Sequence, residues 1–149
     1  MIDFIIMRHG MALPADEDSE RGLSEEGRSD SRRVAGRLAA AGVRVERVVH
    51  SGKKRARETA EIVGAKIAPG VSIERIRGLE PHDRVDEIAS ELEGGLVGTA
   101  VIGHLPHLDH LLARLLRGSA PPTLGTSCAA HLRRSGSSWK LADVHRPGD

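Results

Sequence analysis

Three short stretches of this chain carry polar residues whose types and spacing suit phosphate chemistry. "MRHG" at residues 7–10 sets Arg8 and His9 side by side after the β-favouring run "IDFII". "SGKKRARETA" sets Arg55 four residues past Ser51, after "ERVVH". "GHLP" sets His104 after "TAVIG". Arginine and histidine are costly to bury, so a buried strand that ends on them is delivering them to a pocket. Two arginines and two histidines around one space suit a tetrahedral dianion, because guanidinium offers planar, paired donors matched to phosphate oxygens. Helix starts after Ser51 and at Pro106 would add backbone N–H donors. Neighbouring cations disfavour the imidazolium of His9 and keep the ring neutral and nucleophilic. Such a ring can accept a phosphoryl group covalently and pass it to water, which splits one hard step into two. His104 and the arginines would stabilise the equatorial oxygens. The guanidinium groups then supply the positive charge a metal would bring, so the chemistry calls for neither metal nor other cofactor.

The elements that must position these groups alternate along the chain. Ile2–Met7 reads as a buried strand. Residues 24–42 read as a helix capped by Ser24 and ended by Gly42, with Val34, Leu38 and Ala41 on one face. "ERVVHS" reads as a second strand, and Arg55 to Gly64 as a second helix with Ala56, Ala60 and Val63 inward. "SIERI" is a short strand. Asp83 is expected to cap a third helix with Val85, Ile88, Ala89 and Leu92 as its apolar positions, closed by Gly94-Gly95. "TAVIGH" is a further strand. Pro106 suits the first turn of a fourth helix running to Leu116, and "SCAAHLRR" and "SWKLADV" are the last strands. This alternation predicts an α/β fold: one three-layer domain over residues 1–149, with a mainly parallel sheet and helices on both faces. In such sheets the pocket lies outside the carboxyl ends of the strands, where Arg8-His9, Ser51 and His104 would meet.

Composition narrows the partners. A net charge of +1 over 149 residues creates no global field for nucleic acid or membrane. One phenylalanine, one tryptophan and no tyrosine leave no aromatic platform for stacking bases. "KKRAR" at 53–57 is expected to be a solvated helix face. The single Cys128 permits no intrachain disulfide and is expected to be a core residue, as is Trp139. No apolar run approaches a bilayer span, and Arg8-His9 interrupts any signal-peptide core, so a cytoplasmic location is expected. Two alternatives compete locally. Arg8-His9 could form an ion pair with the acidic stretch 15–20. His104, His107 and His110 recur every three residues as metal ligands would, but Pro106 puts His104 off the helix. His107 is then expected on the helix surface.

"RHG", "SxxxRAxxTA" and "GHxP", in that order, resemble the histidine phosphatase superfamily with its phosphoglycerate mutase-like fold. Together with "RGLSEEG" and "GLEP" they resemble the SixA-type phosphohistidine phosphatases over residues 1 to about 133. The resemblance implies that His9 is the nucleophile and that Arg8, Arg55 and His104 bind phosphate and stabilise the transition state. It adds Arg21 of the "RGLS" segment to the pocket. Many relatives have Ser-Pro where this chain has Ser51-Gly52. Larger members carry a mid-chain glutamate acid; Glu80 in "LEPHD" is the candidate here, although a histidine leaving group needs an acid less than an alkoxide does. The implied function is a metal-independent phosphatase acting on a phosphorylated partner protein, such as a histidine-containing phosphotransfer domain. The alternatives are a phosphatase of small sugar or nucleotide phosphate esters and a non-catalytic phosphate-binding module. The module would not need His9, because the arginines alone suffice to bind an anion.

Overall fold

The computed structural model describes all residues, 1–149. Six strands form one sheet: β1 (Ile2–Arg8), β2 (Arg47–His50), β3 (Ile73–Arg75), β4 (Thr99–Gly103), β5 (Ala129–Ser135) and β6 (Ser138–His145). Their spatial order is β3-β2-β4-β1-β5-β6. The first four run parallel; β5 lies antiparallel to both β1 and β6. Four helices accompany them: α1 (Glu25–Ala40), α2 (Lys54–Ile67), α3 (Asp86–Gly94) and α4 (His107–Leu115).

Side-chain alternation along β1 explains the three layers. Ile5 and Met7 join Val34, Leu38, Ala60 and Val63 in one core, beneath α1 and α2. Phe4 and Ile6 join Ile88, Leu92, Leu108 and Leu111 in the other, beneath α3 and α4. Aliphatic residues fill both cores almost alone, as the composition requires. Trp139 covers one edge, its ring 4.8 Å from that of Phe4, and Cys128 is buried in the same core.

Most predicted elements stand where their patterns put them. Ser24 caps α1 by accepting from the Gly27 N–H. Helix α2 runs past Gly64 to Ile67, because Gly64 lies against the Ile73 side chain and the helix keeps packing on β3. Asp83 is not the cap of α3. That helix begins three residues later, after Val85, and the Asp83 carboxylate accepts from the Glu80 N–H instead, closing the 80–83 turn. Pro106 stands just before α4 rather than in its first turn.

Parallel register determines what the sheet delivers. Arg8 is level with Gly103, and His50 with Ile102. The residues that follow, His9, His104 and Ser51, therefore emerge side by side from three adjacent strands.

Candidate active site

His9 follows β1, and its backbone N–H donates to Gly103 O. Its Nδ1 lies 2.7 Å from Gly10 O. A carbonyl only accepts, so Nδ1 carries the proton and Nε2 keeps its lone pair. Gly10 is itself pinned: its N–H donates to Thr59 Oγ1 at 3.0 Å, and the Thr59 hydroxyl donates to Arg55 O. A Cβ at position 10 would come within 2.9 Å of Ser31 Oγ, Gly27 O and Ser127 Oγ, so only glycine fits under α1 here. The chain from Thr59 through Gly10 to His9 thus runs from α2 to the candidate nucleophile. Thr59 stood in the "SxxxRAxxTA" motif without a role. Its signal in the sequence was its place one helical turn after Arg55.

His104 is buried, its ring centroid 5.0 Å from that of His9. Its Nε2 lies 2.6 Å from Ser51 Oγ, which also accepts from the Lys53 N–H. Its Nδ1 has no protein partner, and neither does the buried Nε of Arg8. Arg8 is steadied by donating from Nη1 to Leu124 O.

Arg55 lies in the first turn of α2. That helix has no acidic residue in its first turn and no side-chain cap, so its positive end is unneutralised. Arg21 sits in the 13–23 loop with φ at +53°, a left-handed backbone uncommon outside glycine. Two carboxylates hold that loop. Asp18 accepts from Gly22 N–H and pairs with Lys54, while Glu58 accepts from Leu23 N–H and pairs with Arg28. Asp18 pairs with Lys54, and no ion pair joins Asp16, Glu17 or Glu20 to Arg8 or His9, which removes the ion-pair alternative for the acidic stretch.

The chain's ion pairs engage none of Arg8, Arg21 and Arg55. All three nevertheless act on His9, and Arg55 acts on His104 as well. Burial, opposed by the Gly10 hydrogen bond and aided by Arg55, Arg8 and Arg21, holds His9 down at about 4. The sequence placed the main cause in the cations; burial is the larger. Burial, then His9, Arg55 and Lys53, hold His104 at about 3. Burial, then the nearby Arg21, lowers Arg55. Both imidazoles are neutral at pH 7, in a site whose uncompensated charge is positive.

Glu80 lies farther out, exposed on a rim with its carboxylate against the Lys53 ammonium at 3.4 Å. His107 is not on the helix surface: it is fully buried, and burial lowers its pKa while the Gly78 backbone opposes that. No group of three His, Cys, Asp or Glu side chains is arranged to hold a metal, so His104, His107 and His110 do not form a triad. No helix is long and apolar enough to cross a membrane.

A mixed, mainly parallel sheet between helix pairs, with an Arg-His at the end of its first strand and a second histidine beside it, describes one class of protein. The model of the histidine phosphatase superfamily (branch 1) matches residues 4–139, and the chain belongs to that family. It is 36% identical over 147 residues to the phosphohistidine phosphatase SixA of Escherichia coli K12, covering 92% of this chain and 91% of that one. The structure of the protein histidine phosphatase SixA complexed with tungstate superposes with a TM-score of 0.88 at 33% identity, over 99% of this chain and 98% of that one. The alpha-ribazole phosphatase of Shigella flexneri shares the fold with a TM-score of 0.75 at 15% identity, over 98% and 97% of the two chains.

Proposed function

We propose that this protein is a phosphatase that hydrolyses phosphohistidine on a partner protein through a covalent intermediate on His9. One observation carries the reading: a neutral imidazole, its proton fixed on Nδ1, stands among three guanidiniums that no carboxylate neutralises. Such an arrangement favours an arriving dianion and leaves Nε2 free to attack it.

Arg8, Arg21 and Arg55 bind the phosphoryl oxygens. The His9 Nε2 lone pair forms a bond to phosphorus as the bond from phosphorus to the substrate's imidazole nitrogen breaks. The substrate's imidazole, protonated beforehand on its other ring nitrogen, departs as a neutral ring when the P–N bond breaks and needs no acid from the protein, so Glu80, out on the rim, steadies Lys53. His104, whose Nε2 accepts from the Ser51 hydroxyl, carries its one proton on Nδ1 and donates it to an equatorial oxygen as charge builds. Water then attacks phosphorus, the bond to Nε2 breaks, and inorganic phosphate leaves with His9 neutral again. The arginines supply positive charge throughout, so no step draws on a metal. The whole chain, 1–149, serves as the catalytic domain.

Similarity to a phosphohistidine phosphatase at 36% identity, and to a protein histidine phosphatase at 33%, supports this choice of substrate. The decisive experiment offers a phosphohistidine-bearing carrier protein to wild type and to His9→Ala, with chelator present. Wild type is expected to release phosphate and to show an acid-labile phosphoryl group on His9. His9→Ala should show neither, with turnover at least about a thousandfold lower. Full turnover by His9→Ala would remove the mechanism.

A further inference from the structure

The Ser51-Gly52 turn holds His104, yet its own residues do little to make it rigid. Gly52 has φ at +95°, a conformation open to glycine and closed to proline. A Cβ there would meet Arg75 Cδ at 2.8 Å and Cζ at 2.9 Å. The Arg75 side chain therefore lies directly over the turn, and it can do so only because residue 52 has no side chain. Proline at this position would lock the backbone and would have no N–H to satisfy. Glycine brings the widest backbone freedom of any residue and an N–H that needs an acceptor.

His50 supplies that acceptor. It is the last residue of β2, and alternation along the strand sets it on the face of Val48, with Val49 turned to the other core. The residue is buried, and its Nδ1 accepts from the Gly52 N–H at 3.0 Å, which puts the ring's proton on Nε2. The His50 carbonyl accepts in turn from the Ile76 N–H, just past β3, so the same residue is tied to the sheet. An imidazolium would have no lone pair to offer Gly52. Burial, then Arg57 on α2, opposed by Glu61 on the same helix and aided by Arg75 on β3, lowers the pKa of His50, so the acceptor persists at pH 7. Between His50 and Gly52 stands Ser51, whose hydroxyl lies 2.6 Å from His104 Nε2. That hydroxyl reaches His104 only while the turn keeps its shape.

We propose that His50 is a positioning residue for the reaction: by holding the Gly52 N–H it aims the Ser51 hydroxyl at His104 Nε2, and so keeps the His104 proton on Nδ1 for the phosphoryl oxygens. The inference rests on the phosphatase reading. His50 touches neither substrate nor phosphate, and its influence passes through the turn.

The test uses the full chain with p-nitrophenyl phosphate and a phosphohistidine-bearing carrier protein. His50→Leu fills the space and removes the acceptor; His50→Asn keeps an acceptor oxygen near the place of Nδ1. His50→Leu is expected to lower kcat roughly tenfold and to change KM by less than about twofold, because the arginines that bind phosphate are untouched. His50→Asn should stay within about threefold of wild type. In a Ser51→Ala background, itself slower than wild type, His50→Leu should cost nothing further, since its effect passes through the Ser51 hydroxyl. Histidine 15N spectra should show the wild-type proton on Nε2 of His50 and on Nδ1 of His104, and a His104 proton shared between both nitrogens in His50→Leu. An unchanged kcat in His50→Leu, or equal losses with and without Ser51, would overturn the positioning role alone. So would a tenfold slower His50→Asn, or a proton on Nδ1 of His50 in the wild type, and these two decide even where the leucine variant does not fold. Wild-type protein that hydrolyses neither substrate would overturn the phosphatase reading and this proposal with it.

Discussion

His9 is prepared for its proposed role by two separable devices. A hydrogen bond to Gly10 O chooses which nitrogen carries the proton, and burial among cations keeps the ring unprotonated. The second device sets a pH dependence. An ordinary histidine nucleophile loses activity as pH falls through about 6.5, whereas His9 keeps its lone pair down to about 4. The profile of kcat/KM on an aryl phosphate, corrected for the ester's own ionisation, should stay flat from pH 8 to 5.5 and fall with an acid limb near 4. A limb at 6.5 would show that the ring is not held neutral in the free protein. His104, at about 3, is neutral over the same range and so acts as an N–H donor, not as a cation.

At the scale of elements, the site is a meeting of strand ends and the first turn of α2, and its adjustable part is the Ser51-Gly52 turn. That turn joins β2 to α2, holds His104 through Ser51, and makes room for Arg75. Gly52→Ala imposes a left-handed backbone on a residue with a Cβ and pushes the Arg75 side chain aside. It should cost about 1–2 kcal/mol of stability. Part of that cost comes from Arg75, so the penalty should shrink by at least about 0.5 kcal/mol in an Arg75→Ala background, measured as a double-mutant cycle by denaturant unfolding. Strict additivity would mean that the two side chains do not compete for the same space. The 13–23 loop shows the same logic from the other side. Arg21 tolerates a strained backbone because Asp18 and Glu58 tie the residues around it to α2.

For the molecule as a whole, keeping imidazoles neutral and buried makes folding depend on pH. In the unfolded chain His9 and His104 take up protons near pH 6.5; in the folded chain they refuse them until about 4 and about 3. The unfolded state therefore binds more protons in this window, and stability present above 6.5 is lost as pH falls. Between pH 6.5 and 5, while carboxylates remain ionised, each of the two imidazoles should remove about 1.6 kcal/mol. His50 and His107, also lowered by burial, act in the same direction. Urea unfolding at pH 7, 6 and 5 should show the decline, and His9→Gln should lose less stability than wild type over the same interval. The sequence by itself determined much of this protein. Strand and helix periods depend on near neighbours, so β1, α1, β2 and the strand-end placement of His9, Ser51 and His104 were legible from local pattern. The ordered motifs added the family, and with it Arg21. Only the tertiary structure decided that Asp83 closes a turn instead of capping α3, that His107 is buried, that Thr59 braces Gly10, and that Arg75 crosses Gly52. Each of those depends on a partner distant in the chain or on the space a neighbour leaves, and periodicity carries no record of either.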